Sequence, residues 1–229
     1  MSAGKEGSVR AILYALAANF GIAVSKFAAA WWTNSGSMLA EAIHSTADCV
    51  NQLLLLFGMK EARRPENADH PLGYHRVTYF WSMIVALLLF FMGGAFSVYE
   101  GIERLRHPHP LENGLVALAV LGVAVILEAF SLAGAMREIR KVAGGKPFLR
   151  WFRETRESEL MVVAGEDIAA LAGLTLAFIA VAVALASGNP LWDALGTICV
   201  GAVLMVIAVM IMIEVKGLIV GESASPELR

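Results

Sequence analysis

Apolar residues dominate long, nearly unbroken stretches of the chain, and polar residues gather between them. A window of about 20 residues, the length a helix needs to cross the hydrocarbon core, finds six such stretches. They lie at approximately 11–33, 36–59, 78–101, 112–136, 159–186 and 191–215. The punctuation between them is clear: TNSGS, RRPENADHPLGYHR, LRHPHPLEN, the basic segment around VAGGKPFLRWFRETRE, and SGNP. TNSGS and SGNP are short enough to predict tight hairpins between spans 1 and 2 and between spans 5 and 6. The pattern therefore predicts an all-α polytopic membrane protein, a single transport domain of six transmembrane helices over residues 1–229.

Composition agrees with that reading. Of 229 residues, 58% are hydrophobic and 17% charged, too little polar surface for a soluble domain of this size. The net charge of -2 gives no sign of a nucleic-acid partner, so the lipid bilayer is the expected surrounding. Cys49 and Cys199 stand alone in apolar runs and predict helix packing rather than a disulfide or a zinc site. The first apolar run is too long for a signal-peptide core and is expected to stay in place as span 1. Lys60, Arg63, Arg64 and Arg76 lie between spans 2 and 3, and seven further basic residues between spans 4 and 5. Only Arg104 and Arg106 face the other way, so both termini are expected in the cytoplasm. Trp31, Trp32, Trp151 and Trp192 fall near span ends and are expected to be interfacial anchors.

Against this background the ionisable residues inside spans stand out, because each costs a few kcal/mol near the bilayer centre. They are Lys26 in span 1, Glu41, His44 and Asp48 in span 2, Glu128 in span 4 and Glu166–Asp167 in span 5; Asp193 opens span 6. His44 and Asp48 are four apart and stack on one helix face, with Glu41 on the same stripe and Asn51 and Gln52 continuing it. An imidazole and a carboxylate so placed can grip one zinc-type ion at about 2.0–2.2 Å. Tetrahedral coordination needs ligands from another helix, and Asp167 is the best-placed acid. One turn before it stands Val163, which cannot coordinate, so the fourth position falls to Glu166, to Asn51 or to water. A buried His–Asp pair that merely joins helices is the plain alternative. Lys26 reads as neutralising a carboxylate within the bundle. Glu41, Asn51, Glu128 and Lys26 are candidates for a proton or ion-entrance path. His70, His75, His107 and His109 read as solvated loop residues.

Several motifs then coincide in order: SGSMLAEAIHSTAD with the following NQ, HPLGYHR, FMGGAFSVYEGI, EDIAAL and WDALG. Together they resemble the cation diffusion facilitator family of divalent-metal transporters, and within it the zinc-transporter-9-like bacterial branch, across essentially all six spans. The resemblance implies a transport site between spans 2 and 5, carried here by His44, Asp48 and Asp167, with Glu166 as the interesting substitute where the family commonly has a histidine or aspartate and this chain has Val163. It implies no enzyme activity and no resident cofactor, but export of a divalent cation in exchange for protons by alternating access. Zn2+ is the expected cargo, with Cd2+ or Co2+ as companions; an Fe2+ or Mn2+ exporter and a non-transporting membrane scaffold are the alternatives. The family commonly continues into a cytoplasmic ferredoxin-like domain, expected to be absent from this chain. The inner membrane of a bacterium is the expected location, with a homodimer through transmembrane helices as an open partner choice.

Overall fold

The computed structural model describes the backbone of residues 2–33, 36–107 and 114–221, and side chains within 9–28, at 31, and within 45–107 and 114–221. All regular structure there is helical: α1 (Ser2–Thr33), α2 (Gly36–Glu61), α3 (Val77–Leu88), α4 (Phe96–Arg106), α5 (Gly114–Val142), α6 (Phe148–Glu154), α7 (Ser158–Ser187) and α8 (Leu191–Val220). α3 and α4 are one span, joined by a π-helical segment at Leu89–Ala95. Five stretches are long and apolar enough to cross a bilayer: 9–28 in α1, 77–106, and α5, α7 and α8. α2 is the sixth long helix. Its 26 residues would rise about 39 Å, enough to span, and its polar stripe is what sets it apart in hydropathy.

The long helices fall where the six spans were expected, with three differences. Span 1 is helical from Ser2 rather than from residue 11. Span 3 carries the π-helical segment, which no apolar periodicity announces. The connection between spans 4 and 5, expected as a basic loop, contains the amphipathic helix α6. Pro147 caps its start without needing an amide donor. Phe148, Trp151 and Phe152 then share one face by their spacing of three and four. Trp151 and Phe152 are buried, so Trp151 is a core residue and not an interfacial anchor. Trp31 and Trp192 are exposed, as interfacial anchors should be. On the wet face of α6 the Glu154 carboxylate accepts from Arg150 and Lys146, which hold it below the usual carboxylate range.

α1 packs on α2, α5 and α7, while α8 packs on α7, α3, α4 and the π-helical segment. α7 is shared by both groups. Its first ten residues, Ser158–Asp167, are buried on every side, the mark of a central helix. The tightest core gathers at one end of the bundle: Ala11 and Ile12 from α1, Leu55 and Met59 from α2, Ile139 from α5, Leu160–Ala164 from α7, and Ile211 and Val215 from α8. This is the end bearing the basic loops and α6. α7 stops at Gly188, whose left-handed backbone (φ 66°) only glycine adopts cheaply, and Pro190 then starts α8. That turn is the tight hairpin expected from SGNP.

Candidate functional site

Opposite the packed half, a cavity of about 340 Å³ opens between the helices. Its wall includes Lys26 of α1, Asp48 and Gln52 of α2, Glu128 of α5 and Glu166 of α7. Four of the charged residues that looked misplaced in the sequence, Lys26, Asp48, Glu128 and Glu166, thus converge from four helices on one space, whereas Asp167 does not lie on its wall. Glu41 and His44 lie on α2 as expected, but their side chains fall outside the described residues. Asn34 and Ser35 of the first hairpin and His109 also fall outside them.

α2 and α7 meet through long side chains. Asn51 Nδ2 donates to Glu166 Oε1 at 2.9 Å, and Gln52 Nε2 donates to Glu166 Oε2 at 3.3 Å. Both oxygens of Glu166 are therefore engaged by the amides that follow Asp48 along the helix. Asp167 turns instead toward α5, where Ser131 Oγ donates to its Oδ2 at 2.9 Å. Its Oδ1 is buried with no hydrogen-bond partner, and so is Gln52 Oε1. Orphaned buried acceptors cost of the order of 1–3 kcal/mol each, so two of them beside an acidic cavity point to a missing donor or cation. On α1, Lys26 is buried and its Nζ donates to Ser45 Oγ at 2.9 Å. Val163 is fully buried in the apolar core and offers nothing polar.

Sequence reasoning did not single out Asn19, Ser131, Ser45 or Glu100. Asn19 and Ser45 are buried polar residues on the cavity wall, and Ser131 is a buried hydroxyl three residues after Glu128. That spacing, on the face already marked by Glu128, was the available signal. Glu100 belongs to an ion cluster at the far rim of the cavity. Arg104 Nη1 donates to Asp193 Oδ2 and Nη2 to Glu100 Oε1, both at 2.6 Å, tying α4 to the start of α8. Because Arg104 is about a third exposed (33%), screening trims the attraction. Arg104→Ala is expected to cost about 1–2 kcal/mol, within the range for hydrogen bonds to charged groups. A lower thermal midpoint in detergent would register it. Arg104→Lys should recover only part, since a single ammonium cannot fork to two carboxylates as a guanidinium does.

The π-helical segment flanks the same cavity. Leu89 and Met92 from it, and Phe96 and Ser97 just after it, line the wall. A π-turn widens the helix and redirects the side chains that follow, which is why such segments recur at functional sites. Among the described residues, all acidic side chains on the wall sit on the cavity side of the sealed half.

Residues 12–219 match the cation efflux transmembrane domain family. The chain is 36% identical over 201 residues to the mitochondrial proton-coupled zinc antiporter SLC30A9 of Xenopus laevis, covering 86% of this chain and 36% of that protein. It is 32% identical over 219 residues to metal tolerance protein C4 of Arabidopsis thaliana, covering 94% and 48%. With zinc transporter ZitB of Escherichia coli (strain K12) the identity is 30% over 129 residues, covering 56% and 41%. The chain thus spans less than half the length of these curated relatives.

Proposed function

The chain belongs to the cation efflux transmembrane domain family, and from that premise we propose that it is a divalent-cation/proton antiporter, a transporter and not an enzyme. Zn2+ is the cargo this reading favours, moved out of the cytoplasm by alternating access. Asp48 and Asp167 are its proposed ligands, with His44 beside Asp48 on the stripe of α2. The observation that carries the reading is the cavity itself. Carboxylates from α2, α5 and α7 gather on its wall, and the half of the bundle bearing the basic loops is packed shut beneath it.

Physical chemistry links the two ions. Carboxylates and an imidazole must shed their protons to bind metal, so occupancy by metal and by protons excludes one another. Buried carboxylates without a cation are costly, and either a dication or protons relieves that cost. A histidine ligand titrates near physiological pH, which makes the exchange responsive to a modest gradient. The mitochondrial relatives carry proton coupling and zinc in their names, and ZitB carries zinc. A second reading, Fe2+ or Mn2+ as cargo, is favoured by one observation: the acids on the described wall are all oxygen donors, which suit harder ions.

Proteoliposomes of the protein loaded with a zinc-sensitive dye test both readings. Zinc flux should rise with an opposing proton gradient and weaken as the metal-facing side is acidified, because protons then compete for the ligands. Zinc flux indifferent to the gradient would overturn antiport. Faster Mn2+ than Zn2+ flux would favour the second reading.

A further inference from the structure

Residues 137–156, which join the end of α5 to the start of α7, carry seven basic side chains against two acidic ones. We infer that the end of α5 and the outer face of α6 form a docking surface for the headgroups of anionic phospholipids in the adjoining leaflet. The inference goes beyond the antiporter reading and does not depend on it.

Local structure decides which of those charges are available. Trp151 and Phe152 are buried in the core at this end of the bundle, together with Ile139 and Ala143. Gly144 and Gly145 both take left-handed backbone (φ 57° and 80°), which turns the chain tightly enough for α6 to return to that core. With Trp151 and Phe152 held inward, the helical period leaves Leu149, Arg150 and Arg153 on the outer side of α6, all exposed. Arg137 and Arg140 are exposed near the end of α5. The two acids are already committed. Glu138 accepts from Lys141 at 2.6 Å, and Glu154 accepts from Lys146 at 2.9 Å and from Arg150 at 2.8 Å. Among the described residues, Arg137, Arg140 and Arg153 enter no hydrogen bond or ion pair.

Three features together fit a phospholipid rather than a soluble anion. α5 has 29 residues and rises about 43 Å, against a hydrocarbon core of about 30 Å. The surplus brings its arginine-bearing last turns to the depth of the headgroups. Leu149 is 67% exposed among the arginines, an apolar side chain that acyl chains would cover and water would not. A guanidinium forks to two oxygens of a phosphodiester, and a cluster of them is drawn to an anionic lipid surface. Because α6 is rooted in the core through Trp151 and Phe152, a lipid held across α5 and α6 stabilises the folded state. The competing account is that these arginines only set the orientation of the spans, as basic loops do in general.

Thermal melting of the full chain in dodecyl maltoside, titrated with dioleoylphosphatidylglycerol, separates the two accounts. The melting midpoint should rise with the lipid and level off. Dioleoylphosphatidylcholine or inorganic phosphate at the same concentrations should leave it in place. A basic residue beside an anionic surface contributes about fivefold to affinity, so Arg140→Gln/Arg153→Gln should need roughly 25-fold more lipid for a half-maximal rise. Arg140→Lys/Arg153→Lys, which keeps both charges, should recover most of that loss. Arg63→Gln/Arg64→Gln, which removes two charges from the loop between α2 and α3, should titrate like the parent. Equal shifts in the two glutamine pairs, or an equal rise with phosphatidylcholine, would mean that no defined surface exists and overturn the inference. A rise with inorganic phosphate as large as that with the lipid would make the occupant a soluble anion and overturn it too, as would no rise with phosphatidylglycerol. Should Arg140→Gln/Arg153→Gln not fold, Arg153→Gln alone decides: a shift of about fivefold supports the docking surface, and no shift defeats it.

Discussion

Asp48→Ala is expected to bring zinc/proton exchange in proteoliposomes down to the background of empty vesicles. The carboxylate stands on the cavity wall, where the antiporter reading makes it a ligand. Removing a direct ligand should cost more than the 10–100-fold typical of removing a residue behind one. Folding should survive, because among the described residues the Asp48 side chain joins no ion pair or hydrogen bond whose loss would leave a buried partner stranded. An unpaired acid in a membrane helix is itself costly, so the alanine protein should melt no lower than the parent. Asp48→Asn adds the sharper control, since it keeps the shape and the oxygen while discarding the charge. His44→Ala should give the same loss of exchange. Exchange retained in Asp48→Ala with a parental thermal midpoint would remove Asp48 from the site. A protein that lost exchange and also melted lower would show a structural role instead.

How much of this was readable beforehand depends on the range of the signal. Six spans follow from hydropathy and length, which are local properties of the chain. The stripe of α2 was legible too, since a helix of fixed period places His44, Asp48 and Asn51 on neighbouring positions without knowledge of any partner. What the period cannot tell is which helix a face meets. Glu166 and Asp167 are adjacent in sequence, but successive helical residues diverge by about 100°, so one reaches α2 and the other α5. Reading them as a pair pointing to one place therefore concealed the Asn51–Glu166 tie. The same limit hid Trp151. Its position near a span end suggested the lipid interface, whereas the amphipathic α6 folds it inward onto the core. The π-helical segment needs one extra residue accommodated within α3–α4, a choice made by packing against α8 rather than by any local preference.

That packing yields the second large expected effect: Gly201→Val should prevent the bundle from closing properly. In a bilayer, lipid tails solvate apolar side chains as well as neighbouring helices do, so helix association relies on close backbone approach at small residues. α8 crosses the π-helical segment and α4 at such a point. A Cβ at Gly201 would stand 2.6 Å from the Gly94 carbonyl oxygen and 2.8 Å from the Val98 amide nitrogen. Both are backbone atoms and cannot swing aside. Gly165 makes a useful contrast, because a Cβ there meets the end of the Ile211 side chain, which can change rotamer. Overpacking a well-filled core usually costs about 1–3 kcal/mol, and a clash with fixed backbone belongs at or above the top of that range. Valine adds two further methyl groups to the clashing Cβ and is stiff in a helix. Gly201→Val is therefore expected to lose its monodisperse peak on size exclusion, and Gly201→Ala to melt markedly lower than the parent. Gly122→Ala is the internal standard, since its Cβ would meet only Phe178 at 3.9 Å and alanine favours helix by up to about 1 kcal/mol. A Gly201→Val protein that melts like Gly122→Ala would mean that α8 and α4 do not approach this closely. The point has functional weight because Phe96, Ser97, Val200 and Leu204 line the cavity on either side of the crossing. Prising α8 from α4 would widen the space that the carboxylates of α2, α5 and α7 share, and a site held by three helices tolerates little spreading.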